Sequence, residues 1–173
     1  IIVTEKLGID EVKRLMPKLR MHGNTENLYS YFRPTPDQDR ILLGSRSFDR
    51  HEPSKRSVVY LKKKLVNIFP ELGACKIDYC WLGNVCFTRS QLPSVFEYDN
   101  IFYAAGFAGS GTVWARWLGK KAAELALGIS NQPSMFYGAP PSKLPFYDGS
   151  PWFLPLIHRY YASKDWLKSH KEK

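Results

Sequence analysis

The sequence predicts an α/β fold, strands alternating with helices, and three observations carry that reading. β-like runs and helix-period segments alternate along the chain. A short apolar strand at residues 100–105 runs through a glycine-rich turn straight into a helix. The 44% hydrophobic and 24% charged residues are the composition of a globular domain with a real core. A length of 173 residues allows one domain or a piece of a larger one. The opening Ile1, Ile2, Val3, Thr4 has no initiator Met, basic n-region or small-residue cleavage site, and reads as a chain cut inside a strand.

Residues 1–4 form the first predicted strand. Ile9, Val12, Leu15 and Met16 then make an amphipathic turn or two, which Pro17 interrupts. Residues 28–33 alternate aromatic and polar side chains and residues 40–46 form a second β-like run, so the pair reads as a hairpin with a long loop through Pro34 and Pro36. Tyr29, Tyr31 and Arg33 share one face and Ser30 and Phe32 the other; the tyrosine face is either packed core or the wall of a pocket.

Over residues 56–69, Val58, Leu61, Leu65 and Ile68 mark one helical face, stopped by Pro70, with Lys62, Lys63 and Lys64 mostly on the outer face. Residues 76–88 read as one long strand bent at Gly83. Residues 100–105 are a fully apolar strand of buried type, and residues 112–127 carry Trp114, Trp117, Leu118 and Leu125 at helical spacing, closed by Gly128. Beyond it the chain reads as loop. Pro133, Pro140, Pro141, Pro145, Pro151 and Pro155 are interleaved there with aromatics whose density calls for packing.

A net charge of +9 raises nucleic acid, an anionic surface and acidic substrates as partners. The excess is spread thinly, +6 over residues 1–70 and +3 over the rest, and no nucleic-acid module accompanies it, which argues against a polyanion site. Its dense runs are the lysine triplet and the tail Lys164, Lys168, Lys171 and Lys173, read as a solvated end. No apolar stretch reaches the roughly 18 residues of a membrane span. Cys75, Cys80 and Cys86 fit neither a zinc site nor a disulfide framework and point to reduced thiols in a cytoplasmic protein. Cys80 and Cys86, an even number apart on the predicted strand, should share a face as packing residues. His22, His51, His158 and His170 are scattered, so no metal site is expected. There is no G-x-S-x-G elbow, and Ser110 is better read as a helix cap than a nucleophile.

The segment Gly106, Phe107, Ala108, Gly109, Ser110, Gly111, Thr112 is the most informative. Strand, glycines and helix start bring backbone N–H groups and the positive helix end onto a bound group without side chains in the way, which suits an anion or a polarised carbonyl. Its GxxGxG spacing is not the dinucleotide fingerprint, and a turn that merely lets a helix pack closely on a strand is the equal alternative.

The runs YFRPTPDQDRILLGSR at 31–46, WLGNVCFTRSQLP at 81–93 and NIFYAAGFAGSGTVWARWLGKKAAELALG at 100–128 resemble, in that order, the C-terminal half of the flavin-dependent D-amino acid oxidase, glycine oxidase and sarcosine oxidase family. Within it the likeness is greatest to the gamma-glutamylputrescine oxidoreductase group. The resemblance implies an incomplete piece of a two-domain flavoprotein. Residues 1–99 would be the later part of a substrate domain, residues 100–128 the last strand, turn and helix of a Rossmann-type FAD domain, and residues 129–173 a proline- and aromatic-rich extension. It implies FAD as cofactor, an amine or amino acid as substrate, and an N-terminal FAD domain of the same protein as partner. The implied flavin contact is the turn from Gly106 to Thr112, and the implied substrate-side residues are Tyr31 and Arg46 with Trp81 as a wall. Departures from the family pattern stand at Ser110, commonly His, at Val113, Lys in some members, and at Ser90, where relatives have Asp. A non-catalytic interaction module and a basic flavoprotein acting on RNA are the competing readings.

Overall fold

The computed structural model describes residues 1–46, 49, 52–129, 134–147, 149 and 151–171. His51, Pro133 and Lys173 lie outside the described residues. The chain divides into two compact units, Ile1–Leu82 with Pro151–Lys173, and Gly83–Ser150.

The first unit is built on a five-stranded antiparallel sheet in the order β2-β3-β4-β1-β5. The central strand β1, Ile2–Thr4, is buried along its whole length. Helix α1, Ile9–Leu15, ends at Met16, the residue before Pro17, as proline sterics demand. A short edge strand β2, His22–Gly23, lies beside β3, Ser30–Pro34, which pairs with β4, Ile41–Ser45. The predicted hairpin is therefore present, but β3 starts two residues late. The backbone of Leu28 and Tyr29 is engaged elsewhere: Ser45 Oγ donates to both carbonyls, at 3.3 and 3.0 Å.

Helix α2, Lys55–Ile68, is capped by Ser54, whose Oγ accepts from Ser57 N at 3.2 Å. Its inner stripe is Ser57, Leu61 and Leu65, a slight rotation from the predicted one that leaves Ile68 partly exposed and brings Phe69 inside. A 3-10 turn, Pro70–Ala74, leads to β5, Ile77–Cys80. α1, α2 and this turn cover one face of the sheet around Ile2, Val12, Ile41, Leu43, Leu61, Leu65 and Cys75. Each such aliphatic side chain taken fully from water contributes about 1.5–3 kcal/mol.

The long strand expected over residues 76–88 is not formed. β5 pairs only with the three residues of β1, and after Trp81 N donates to Ile1 O at 3.1 Å the ladder has no further rung. Cys80 is consequently on a strand and Cys86 is not, so the two do not share a face; Cys86 is exposed. Lys64 likewise departs from the outer face assigned to the lysine triplet. Its side chain is 17% exposed, and its ammonium reaches Glu26, Leu28 O and Ser30 Oγ.

The unit is completed by helix α4, Leu154–Lys171, in a stretch expected to be loop. Its apolar residues Leu154, Leu156, Ile157, Tyr160, Trp166 and Leu167 point in several directions and show no helical stripe, and all are exposed. Pro155 stands in the first turn, where a missing N–H costs nothing. The half-buried residues are His158, Tyr161 and Asp165 at spacings of three and four, so the helix docks by a polar face. Among the described residues no helix is long and apolar enough to cross a membrane.

In the second unit, β6, Ser94–Tyr98, and β7, Ile101–Ala105, form an antiparallel hairpin. Its two-residue turn places Asp99 and Asn100 at φ 54° and 58°, the primed geometry that matches strand twist. β7 is thus a half-exposed hairpin strand, with Ile101 53% exposed, rather than a strand buried on both faces. Helix α3, Gly111–Ala126, buries Leu118 completely and brings Trp114 and Trp117 edge-on to Phe136, at 5.3 and 5.4 Å between centroids. The segment from Ser134 to Gly138 is held to β6, with Val95 N donating to Phe136 O at 2.7 Å and Gly138 N to Val95 O at 3.2 Å. The expected packing of the aromatic stretch holds at Phe136, whereas Phe146 is 92% exposed.

Candidate functional site

The face of the first sheet opposite its helices carries the tyrosines. β3 alternation sends Phe32 inward, stacked on His22 at 5.2 Å and edge-on to Phe69 at 5.4 Å. It sends Tyr31 outward, and Tyr29 and Tyr31 stack with ring centroids 5.8 Å apart. Of the two readings left open, the tyrosine face is therefore not the packed core. Each ring lies over a glycine of the neighbouring strand. A Cβ at Gly23 would come within 2.6 Å of Tyr29 Oη, and one at Gly44 would overlap the ring of Tyr31. Glycine in a strand interior signals such an approach, and Gly44 was legible on that ground.

Tyr31 pairs with Gly44 across β3 and β4. The β1–β4 register, Ile2 to Leu43 and Val3 to Leu42, carries the same row on to Ile1. Ile1 exchanges both backbone hydrogen bonds with Trp81, at 2.9 and 3.1 Å. Tyr31, Gly44, Ile1 and Trp81 thus form one row across the sheet and, by alternation, share its open face. Three inter-strand steps of about 4.8 Å separate the tyrosine and the tryptophan. Trp81 is 41% exposed. Burial, and next the charge of Tyr29, push the Tyr31 hydroxyl above its ordinary pKa, while Arg33 opposes. At neutral pH it is a protonated donor. Arg46 is placed otherwise: it is exposed just past β4, and its charge acts on His158 of α4.

The glycine turn of the second unit is a strained, well-seated corner. Gly106, Ala108 and Gly109 all have left-handed φ, at 80°, 51° and 91°. Gly106 is pressed against the segment before β6, where an added Cβ would meet Thr88 Cγ2 at 2.7 Å and Leu92 O at 3.2 Å. That segment is tied by hydroxyls. Thr88 Oγ1 donates to Leu92 O at 2.9 Å, and Ser90 Oγ accepts from Leu92 N at 3.3 Å, so Ser90 acts as a turn-holding acceptor. Ala108 N donates to Cys86 O at 3.2 Å and Ser110 N to Phe107 O at 2.8 Å. Ser110 takes the N-cap position as expected, but its side chain makes no capping bond.

The carbonyl of Ser110 accepts from Val113 N and Trp114 N at 3.1 and 3.0 Å. The N–H groups of Gly111 and Thr112, in the first turn of a 16-residue helix, have no intrahelical acceptor. Gly109, Ser110 and Thr112 are exposed. Donors, a positive helix end and the lack of side chains at Gly109 and Gly111 together fit an anion or a polarised carbonyl. In the first unit burial pushes the thiols of Cys75 and Cys80 up, away from the reactive thiolate form. Among the described residues no cluster of three or more His, Cys, Asp or Glu is placed to hold a metal ion.

A family model described as FAD dependent oxidoreductase (DAO) matches residues 1–125. Gamma-glutamylputrescine oxidoreductase of Escherichia coli (strain K12) is 32% identical over 173 residues, covering 96% of this chain and 39% of that protein. A probable oxidoreductase OrdL of Haemophilus influenzae is 32% identical over 112 residues, 64% of this chain and 25% of the relative. Its namesake in Rhizobium meliloti is 29% identical over 140 residues, 78% and 32% respectively. The chain therefore spans 39% or less of the length of these relatives.

Proposed function

The chain belongs to the FAD dependent oxidoreductase family, and on that premise we propose that it is part of an enzyme that oxidises the C–N bond of an amine or amino acid. When bound, FAD supplies the two-electron acceptor for hydride from the carbon bearing nitrogen, and the resulting imine is hydrolysed by water. The observation that carries this reading is the strand, glycine turn and helix, which lies within the matched residues and has the donor set for an electron-rich ring edge. Gly106, Phe107, Ala108, Gly109, Ser110, Gly111 and Thr112 would hold that edge. The N–H groups of Gly111 and Thr112 and the helix end each favour negative charge there, the dipole by about 0.3–1 kcal/mol. The similarity to gamma-glutamylputrescine oxidoreductase supports an amine as the substrate class.

On this reading the open sheet face is the substrate side. Tyr31 presents a neutral hydroxyl donor from a ring fixed on Gly44, and Trp81 is an apolar wall in the same row. Arg46, exposed just past β4, is the third assignment on this side. Residues 1–99 then contribute substrate-domain structure, and residues 100–128 the last elements of the FAD domain. The pyrophosphate end of the cofactor needs contacts beyond the turn, which we assign to an N-terminal FAD domain of the same protein. The test is carbonyl product released from a panel of amines and amino acids by the flavin-loaded full-length protein. Product from an amine supports the reading; a loaded protein that turns over none of them overturns it.

A further inference from the structure

Two side chains of helix α4 about two turns apart, His158 and Asp165, meet the rest of its unit at described contacts. Asp165 accepts from Asn27 N at 2.8 Å, Asn27 Nδ2 at 2.7 Å and Leu28 N at 2.9 Å. His158 lies edge-on to Tyr60 of α2, with ring centroids 6.5 Å apart. From the α2 side, Lys64 Nζ holds the same chain segment, reaching Glu26 Oε2 at 3.0 Å, Leu28 O at 3.2 Å and Ser30 Oγ at 3.1 Å. The segment leading to Tyr29 and Tyr31 is thus clamped between a carboxylate of α4 and an ammonium of α2.

The charges around His158 favour its neutral form. Tyr60 faces it from α2, with Lys64 Nζ 5.5 Å from the centre of the same ring; the charges of Lys64 and of Arg46, at the end of β4, act against a proton on His158, and that of Asp165, on its own helix, acts for it. That carboxylate is already committed to three N–H donors, and Lys64 is paired with Glu26. A proton on His158 places a further positive charge beside two others at a half-buried contact.

We propose that α4 is a pH-responsive strap: docked while His158 is neutral, it fixes the approach to Tyr29 and Tyr31, and protonation of His158 loosens it. Burial first, then Lys64 and Arg46, hold the His158 pKa below its ordinary 6.5, with Asp165 opposing. A group whose docked pKa is depressed stabilises docking fully above its undocked value, and that stabilisation is lost as pH falls from about 6.5 through the docked value. Asp165 does not titrate in this window. Its burial would raise its pKa, but the bonds from Leu28 and Asn27 outweigh that and hold it below the ordinary carboxylate value.

The inference does not depend on the proposed reaction, and hydrogen exchange on the full-length protein tests it. Protection of the Asn27 and Leu28 amides, corrected for intrinsic exchange, should be several-fold lower at about pH 5.5 than at about pH 8, with α2 amides unchanged as an internal reference. His158→Gln should abolish the difference. Asp165→Asn should lower protection of both amides at either pH. Equal wild-type protection at the two pH values overturns the strap, as does the same drop in His158→Gln. The wild-type pair of measurements decides the matter by itself if a variant folds poorly.

Discussion

The ring of Tyr31 lies on Gly44, its ladder partner across β3 and β4, so closely that no Cβ fits at position 44. The seat fixes the ring flat on the open sheet face. Gly44→Ala should therefore destabilise the protein by roughly 1–3 kcal/mol through overpacking. Adding Tyr31→Ala should restore much of that loss, because the displaced ring is then gone. Urea denaturation of the two single variants and the double variant reads this as a coupling energy, and additive losses would count against the seat.

Thr4 stands where the β1–β5 pairing shifts register, and its Oγ1 accepts from Ile41 N at 3.0 Å in a fully buried position. Thr4→Val keeps the shape and removes the acceptor. The stranded N–H should cost about 1–3 kcal/mol, measured as a lower denaturant midpoint. Thr4→Ser should keep most of the stability.

Gly106 combines φ 80° with a neighbour that a Cβ would strike at 2.7 Å. Gly106→Ala should cost about 1–3 kcal/mol in backbone strain alone and push the turn off the Thr88 segment. Flavin content per chain, read from the absorption spectrum of purified full-length protein, should fall with it. Unchanged flavin content would remove the turn from the cofactor site.

The three thiols should react in an order set by exposure. Cys86 is exposed, Cys80 half-buried and Cys75 buried, and burial pushes both Cys75 and Cys80 above the ordinary thiol pKa. Alkylation of the folded protein, followed by mass spectrometry, should label Cys86 first and Cys75 last.

How far the sequence was legible depended on whether local pattern and tertiary partner agreed. The β3–β4 hairpin and α2 were readable because alternation and the Leu61, Leu65 stripe coincide with what the core buries. The Tyr31–Trp81 row needed only strand parity plus the order of strands. Other features depend on partners that no local window contains. β5 stops because β1 offers it only a few rungs, and Leu28 leaves the ladder because Ser45, Lys64 and Asp165 engage its backbone. Helix α4 was hidden because its docking residues are polar and its apolar ones face outward. The β6–β7 hairpin was within reach, since Asp99 and Asn100 between two β-like runs are a turn signal. Of the proposed site, the glycine turn could be read directly from its residues, whereas its seat at Thr88, Ser90 and Leu92 required the fold.

Anaerobic titration of the full-length protein tests the proposed FAD-dependent C–N oxidation most directly. A visible flavin spectrum should bleach on addition of an amine or amino acid, without oxygen, and less readily with that substrate in Tyr31→Ala. A protein that carries flavin but is bleached by none of them, or one that purifies colourless and takes up no FAD, would contradict it.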